Sequence, residues 1–251
     1  MAFQDHFSRQ ASDYTQYRPR YSRALFEFLA ELPAERQLAW DCGTGNGQAA
    51  VDLAEVFQRV VATDPSASQI AHAEVHPRVE YAVAAAEHCP LDSDTVDLVT
   101  VAQALHWFDR DRFYQQVLRV GRQGSVVAAW SYGLATISPK IDAVVWHLYE
   151  TVLGAYWPPE RKLIEAGYAT IDFPFEPIAS PQFSMTAQWT LDELLGYLGT
   201  WSSVQRYLQS EQVDPLGLVS GDLAAAWGAD DARREVHWPI YLRAGWIHGA
   251  R

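Results

Sequence analysis

Three glycines spaced by two, Gly43, Gly45 and Gly47, follow the apolar run Leu38-Ala39-Trp40 and Asp41. The chain then becomes helical in pattern, Gln48-Ala49-Ala50-Val51-Asp52-Leu53-Ala54. A strand that ends in a glycine-rich turn and feeds a helix is a nucleotide-cofactor site. Glycine lets the backbone turn sharply and lets a ligand approach where a Cβ would collide.

Around this turn, strand and helix alternate. Residues 1–20 are polar and aromatic, and a helix with Leu25, Phe28, Leu29 and Leu32 on one side follows, stopped by Pro33. Strands are expected at Leu38–Cys42, Val60–Thr63, Val79–Val83, Val96–Val101 and Ser125–Trp130. Helices are expected at Gly47–Val56, Ser66–Ala73 and Arg110–Val120, the last closed by Gly121. This βαβ rhythm predicts an α/β protein with a doubly wound, mostly parallel sheet. After residue 131 the rhythm breaks. Residues 139–157 read as an amphipathic helix and 168–189 as extended. Thr190-Leu191-Asp192-Glu193 is a capping box that opens further helix, running to Trp227. Val236–Ile247 reads as a closing strand, with Pro239 at a strand start, bulge or edge.

Composition narrows the function. The 251 residues suit one sizeable α/β domain with an added lobe, and 49% hydrophobic content supplies a full core. The net charge of −12, with no basic stripe, argues against nucleic acid, where phosphate neutralisation supplies most of the affinity. Cys42 and Cys89 form no CxxC pair, and no spaced His/Cys set suggests a metal. No apolar run approaches the ~20 residues a membrane helix needs, and the N-terminus lacks a signal core. A cytoplasmic protein acting on a small molecule, as monomer or homodimer, is expected. The ten Trp and twelve Tyr line a pocket or fill the core.

A nicotinamide or flavin fingerprint spaces its last glycine by three, G-x-G-x-x-G. Here the third glycine comes after two, and Asp41 stands two before the first, where it would repel a pyrophosphate and suits an ammonium group. Trp40-Asp41-Cys42-Gly43-Thr44-Gly45-Asn46-Gly47 resembles the first motif of class I S-adenosylmethionine-dependent methyltransferases. Asp64 matches the family's acidic residue on the ribose hydroxyls, and Ala84–Leu91 resembles the adenine loop. Asp97–Val101 with Gln103-Ala104-Leu105-His106-Trp107-Phe108 is similar to the post-strand-four motif of the methyltransferase type 11 subgroup. Within it, Tyr14-x-x-Tyr17-Arg18-Pro19, the His-Trp-Phe motif and Thr200-Trp201-Ser202 look most like the trans-aconitate methyltransferase relatives. One departure stands out: the family often has Asp in the adenine loop, where this chain has Ala85.

The resemblance implies a Rossmann-like methyltransferase fold, a seven-stranded sheet with one antiparallel strand plus a helical lobe. The expected domains are a flap and helix (1–35), a cofactor-binding core (36–134), a helical substrate lobe with a sheet strand (135–230) and a closing strand (231–251). S-adenosylmethionine is the implied cofactor, held by Asp41, Gly43, Thr44, Gly45, Gly47, Asp64, Pro65, Ala85, Ala86, Glu87, Gln103 and Ala104. Tyr14, Arg18, Trp107 and Trp201 are the candidate substrate residues, with Arg206 and Tyr207 as further pocket walls. Arg18 is the candidate carboxylate clamp. His106 is the candidate base if the acceptor is a hydroxyl or amine, and a carboxylate needs none. The reading is O-methylation of a small metabolite, a carboxylic acid among the candidates. The alternatives are C-methylation of a quinone- or sterol-like precursor and a non-catalytic S-adenosylmethionine-binding protein.

Overall fold

The computed structural model describes residues 19–229 and 231–249. The expectations placed on Tyr14, Tyr17 and Arg18 lie outside them. The central strands are apolar along their whole length, because both faces of the sheet are covered. β1 (Leu38–Cys42) is buried throughout. Beside it lie β2 (Arg59–Asp64) and β3 (Val79–Val83) on one side, and β4 (Val96–Ala102) and β5 (Gly121–Tyr132) on the other, all parallel. The chain thus winds outward in both directions from β1, and the reversal between β1 and β4 opens a crevice at their carboxyl ends.

β8 (Arg234–Trp246) runs antiparallel along β5. Two strands share its other edge: β6 (Glu176–Ile178) opposite Ala244–Trp246, and β7 (Phe183–Trp189) opposite Arg234–Ile240. Among the described residues, eight strands therefore fill seven positions, and β8 alone runs against the rest. The row divides at 179–182, where Pro181 has no N–H to give a ladder. Pro239 sits within β8, not at its start. Its carbonyl accepts from the Gly133 N–H. Its nitrogen therefore points to the same side, past Tyr132 where β5 ends, and no ladder bond is lost.

Side-chain alternation sorts the strands onto two cores. Ala39, Val60, Leu98 and Trp130 face the layer of α1 (Arg23–Glu31), α2 (Gln48–Ala54) and the later helices. Trp40, Val61, Val99 and Val127 face α4 (Arg110–Val120), with its Phe113 and Val117. A short α3 (Ala67–Ala71) links β2 to β3, capped by Ser66. After β5 come α5 (Pro139–Trp146), which continues as one wide π-turn His147–Val152, then α6 (Arg161–Glu165), α7 (Leu191–Gly199), α8 (Ser202–Glu211) and α9 (Ser220–Trp227). The Thr190–Glu193 capping box is formed in both directions. Among the described residues no helix is long and apolar enough to cross a membrane.

Candidate active site

The β1–α2 turn is built by its glycines. Gly43, Gly45 and Gly47 all have positive φ (71°, 56° and 88°). A Cβ on Gly43 would lie 2.6 Å from the Ala104 Cβ, and one on Gly47 would run into the Tyr81 Oη. These two glycines let the loop press against its neighbours. Gly45 differs, since nothing lies within 4 Å of where its side chain would begin. Its bare backbone faces open space at the carboxyl edge of the sheet.

Two carboxylates hold that bend. Asp41 is fully buried, and its oxygens accept from the Thr44 hydroxyl at 2.6 Å and the Thr100 hydroxyl at 2.8 Å. Burial pushes its pKa up to about 6, the two hydroxyls pull it down, and the nearby Asp64 charge adds a smaller push upward. Asp64, at the end of β2, accepts from the Gly45 N–H at 2.9 Å and the Ser66 N–H at 2.8 Å, with Pro65 between. Two acidic groups trained on one glycine loop make it a poor seat for a pyrophosphate. They suit a ligand bearing a cation and hydroxyl donors, and this donor set fits an amino-acid nucleoside.

The loop after β3 runs alongside. Ala84 donates to the Asp64 carbonyl, and His88 N–H closes a turn on the Ala85 carbonyl. Ala86 is buried. The Glu87 carboxylate accepts from the Asp109 N–H at 2.9 Å, tying this loop to the start of α4. A solvated loop glutamate is the usual case, and here it is a tether.

Beyond β4, Gln103 adopts a left-handed backbone (φ 57°) and donates its N–H to the Trp130 carbonyl. Non-glycine residues hold such a conformation only when their surroundings impose it. Ala104 follows, its carbonyl accepting from the Trp107 N–H to close a short 3₁₀ turn over Leu105–Trp107. That turn points His106 inward and leaves Trp107 partly exposed. The His106 Nδ1 shares a 2.8 Å hydrogen bond with the hydroxyl of Tyr168, itself buried and left-handed (φ 60°). Burial, and then the Arg161 charge, push the His106 pKa down to about 3, so the ring is neutral.

One pocket gathers these groups: Gln103, His106, Trp107, Tyr132 and Gly133 from the sheet edge, and Trp157, Pro158, Arg161, Ile164, Tyr197, Trp201 and Ser202 from the segments after β5. The structure thus brings Gln103, His106, Trp107 and Trp201 together as the sequence predicts. Arg206 and Tyr207 do not join them. Both turn to Tyr156, Arg206 by a hydrogen bond to its carbonyl and Tyr207 by ring contact. Sequence reasoning missed Trp157, Arg161, Tyr168 and Tyr197. The one local signal was Trp157-Pro158-Pro159, a stiff turn that drives the chain toward the sheet edge.

Residues 40–129 match the methyltransferase domain family. A Dictyostelium discoideum protein with a provisional methyltransferase name is 36% identical over 247 residues, spanning 96% of this chain and 94% of that one. A solved structure from Anaeromyxobacter dehalogenans, provisionally named a type II methyltransferase, has 48% sequence identity and a TM-score of 0.88, covering 92% of this chain and 98% of that one. A structure from Anabaena variabilis, named for a methyltransferase of an antibiotic pathway, shares the fold at 19% identity with a TM-score of 0.54, covering 89% of this chain and 98% of that one. With the glycine loop, its two carboxylates and the pocket beside them, these likenesses identify the chain as a member of the class I S-adenosylmethionine-dependent methyltransferases, with S-adenosylmethionine as its cofactor.

Proposed function

We propose that the enzyme O-methylates the carboxylate of a small organic acid. One observation carries this reading: among its described lining the pocket offers no side chain suited to act as a general base. No Asp or Glu lines it among the described residues, and its one imidazole is neutral and, with a pKa near 3, a feeble base. A hydroxyl, an amine or a ring carbon must lose a proton during methylation, and general bases work best with a pKa near the operating pH. A carboxylate arrives already ionised and needs none.

When bound, S-adenosylmethionine would supply an electrophilic methyl carbon that a carboxylate oxygen could take as its ester, the C–S electron pair staying with sulfur as a neutral thioether. The protein's part is alignment and dryness, and positioning alone offers several kcal/mol. In this reading Asp41, Thr44 and the Gly43–Gly47 backbone hold the amino-acid end, with Gln103 and Ala104 beside it. Asp64, which braces the Gly45 and Ser66 N–H groups at the end of β2, takes the ribose hydroxyls. Ala85 and Ala86 offer backbone groups to the adenine edge. Trp107 and Trp201 wall the acceptor side, and His106, fixed by Tyr168, positions rather than deprotonates. Residues 36–134 hold the donor and 135–230 cover the acceptor.

The test is a labelled-methyl assay against carboxylic acids, phenols, amines and quinone precursors. A methyl ester releases its label as methanol in mild alkali, whereas a C-methyl, N-methyl or ether product keeps it. Alkali-stable label as the main product overturns the proposal.

A further inference from the structure

Arg161 stands at the seam of two cavities. It lines the pocket beside His106 and also a neighbouring one with Trp146, Tyr149 and Glu165. Its guanidinium lies 4.6 Å from the Trp157 ring centre and 5.2 Å from that of Tyr149. Its Nε donates to the Tyr149 hydroxyl at 2.8 Å, and that hydroxyl donates to Glu165. Among the described residues Arg161 makes no ion pair, and its two terminal nitrogens have no hydrogen-bond partner. Glu150 and Glu165 line the neighbouring cavity with it, and Glu165 accepts from the Tyr149 hydroxyl without an ion pair to Arg161.

A half-buried cation held between aromatic rings without a carboxylate of its own is costly to keep. The aromatic sandwich and the Nε bond fix the plane of the fork and leave its outer edge for a planar anion, the geometry in which Arg meets a carboxylate bidentately. Its charge already reaches the imidazole of His106.

We infer that Arg161 sets acceptor specificity by binding an anionic group of the acceptor at its outer edge. This rests on the reading of the pocket as the acceptor site. A resting role, in which Arg161 merely braces Trp157 and Tyr149, predicts different results.

The test measures binding by tryptophan quenching and saturation-transfer NMR, without methyl transfer. The probes are a panel of mono-, di- and tricarboxylic acids, each paired with its uncharged methyl ester. The acids are expected to bind and their esters to bind far more weakly. Arg161→Gln is expected to weaken the acids about 10- to 100-fold, as for loss of a charge-assisted hydrogen bond, with little change for the esters. Arg161→Lys should recover part of the loss. Glu165→Gln, which removes the charge behind Tyr149, should tighten acid binding, an effect that a bracing role does not produce. The melting temperature and the calorimetric affinity for S-adenosylmethionine, measured on every variant, report fold and donor site. Equal binding of acids and esters, unchanged acid affinity in Arg161→Gln, or no binding of any acid overturns the inference. Failure of the wild type to bind S-adenosylmethionine overturns the methyl-transfer reading instead, and leaves an Arg161-dependent acid site standing if the acids bind.

Discussion

Asp41 carries a conflict between stability and binding. Its folded pKa of about 6 lies above the unfolded value of 3.8, because burial disfavours its charge. A group raised in this way holds its proton more tightly when folded. Its contribution to stability is therefore full below about 4 and is lost as pH rises through about 6, a span worth about 3 kcal/mol. The protein without cofactor should melt at lower temperature at pH 7 than at pH 5, and part of this dependence should vanish in Asp41→Asn. Asp52, half-buried and also raised to about 6, titrates in the same window. The difference between wild type and variant isolates the Asp41 share. Cofactor affinity should move the opposite way, falling below pH 6 in the wild type and dropping at least tenfold at pH 7 in Asp41→Asn. Calorimetry across pH 5 to 8 checks this, and unchanged affinity would reduce Asp41 to a turn brace. His106 gives the companion test. Loss of a true general base costs about 10²–10⁴ in rate. With a pKa near 3 and a carboxylate acceptor, His106→Gln should keep kcat within about tenfold, and the wild-type kcat should show no imidazole inflection between pH 5 and 8.

Among the elements, the β1–α2 loop separates strain from contact. Gly45→Ala places a methyl in open space at φ 56°, so it should cost only about 1–2 kcal/mol of stability, as for an ordinary residue in the left-handed region, yet abolish measurable cofactor binding. Gly47→Ala drives its methyl into the Tyr81 hydroxyl, which donates to the Glu74 carbonyl. It should cost about 2–4 kcal/mol, adding overpacking to strain. Denaturant melts with parallel calorimetry distinguish the two, and equal stability losses would refute the assignment of Gly45 as the ligand-facing position. This loop was legible because glycine spacing is a local signal. So were β1, β3 and α4, whose bounds are as expected, and the Thr190 box, because strand apolarity and caps are written within a few residues. β5 begins four residues earlier than its apolar run, at Gly121, which pairs with Val96 before a register shift carries the ladder on from Val126. The split of β6 from β7 was not legible, since it depends on a partner strand some sixty residues away. Arg161 was missed for the same reason. Its setting comes from Tyr149 and Trp157 folding onto one cation, while Trp201 closes on them from the junction of α7 and α8. The carboxylate clamp expected at Arg18 lies outside the described residues, and the anion site proposed at Arg161 is a separate reading.

Across the whole molecule, charge and pocket oppose each other. The chain carries −12, yet the pocket facing the acceptor holds one unpaired guanidinium and no carboxylate among its described lining. At low ionic strength the summed field attracts a cationic donor and repels an anionic acceptor over about 30 Å, the Debye length at 0.01 M salt, against about 8 Å at 0.15 M. The short contact at Arg161 is half-buried and screened far less. Added salt should therefore act with opposite signs on the two substrates. Raising it from about 0.01 to 0.15 M should lower kcat/KM for S-adenosylmethionine, by weakening its attraction, and raise kcat/KM for the acid, by weakening its repulsion. In Arg161→Gln the acid's salt response should keep its sign while its affinity stays low, because the long-range field is untouched and only the local fork is gone. Steady-state kinetics at several salt concentrations, varying each substrate at saturation of the other, separates these effects. A common direction for both substrates would mean that the acceptor is not an anion, and would remove the reason for an unpaired arginine at the seam.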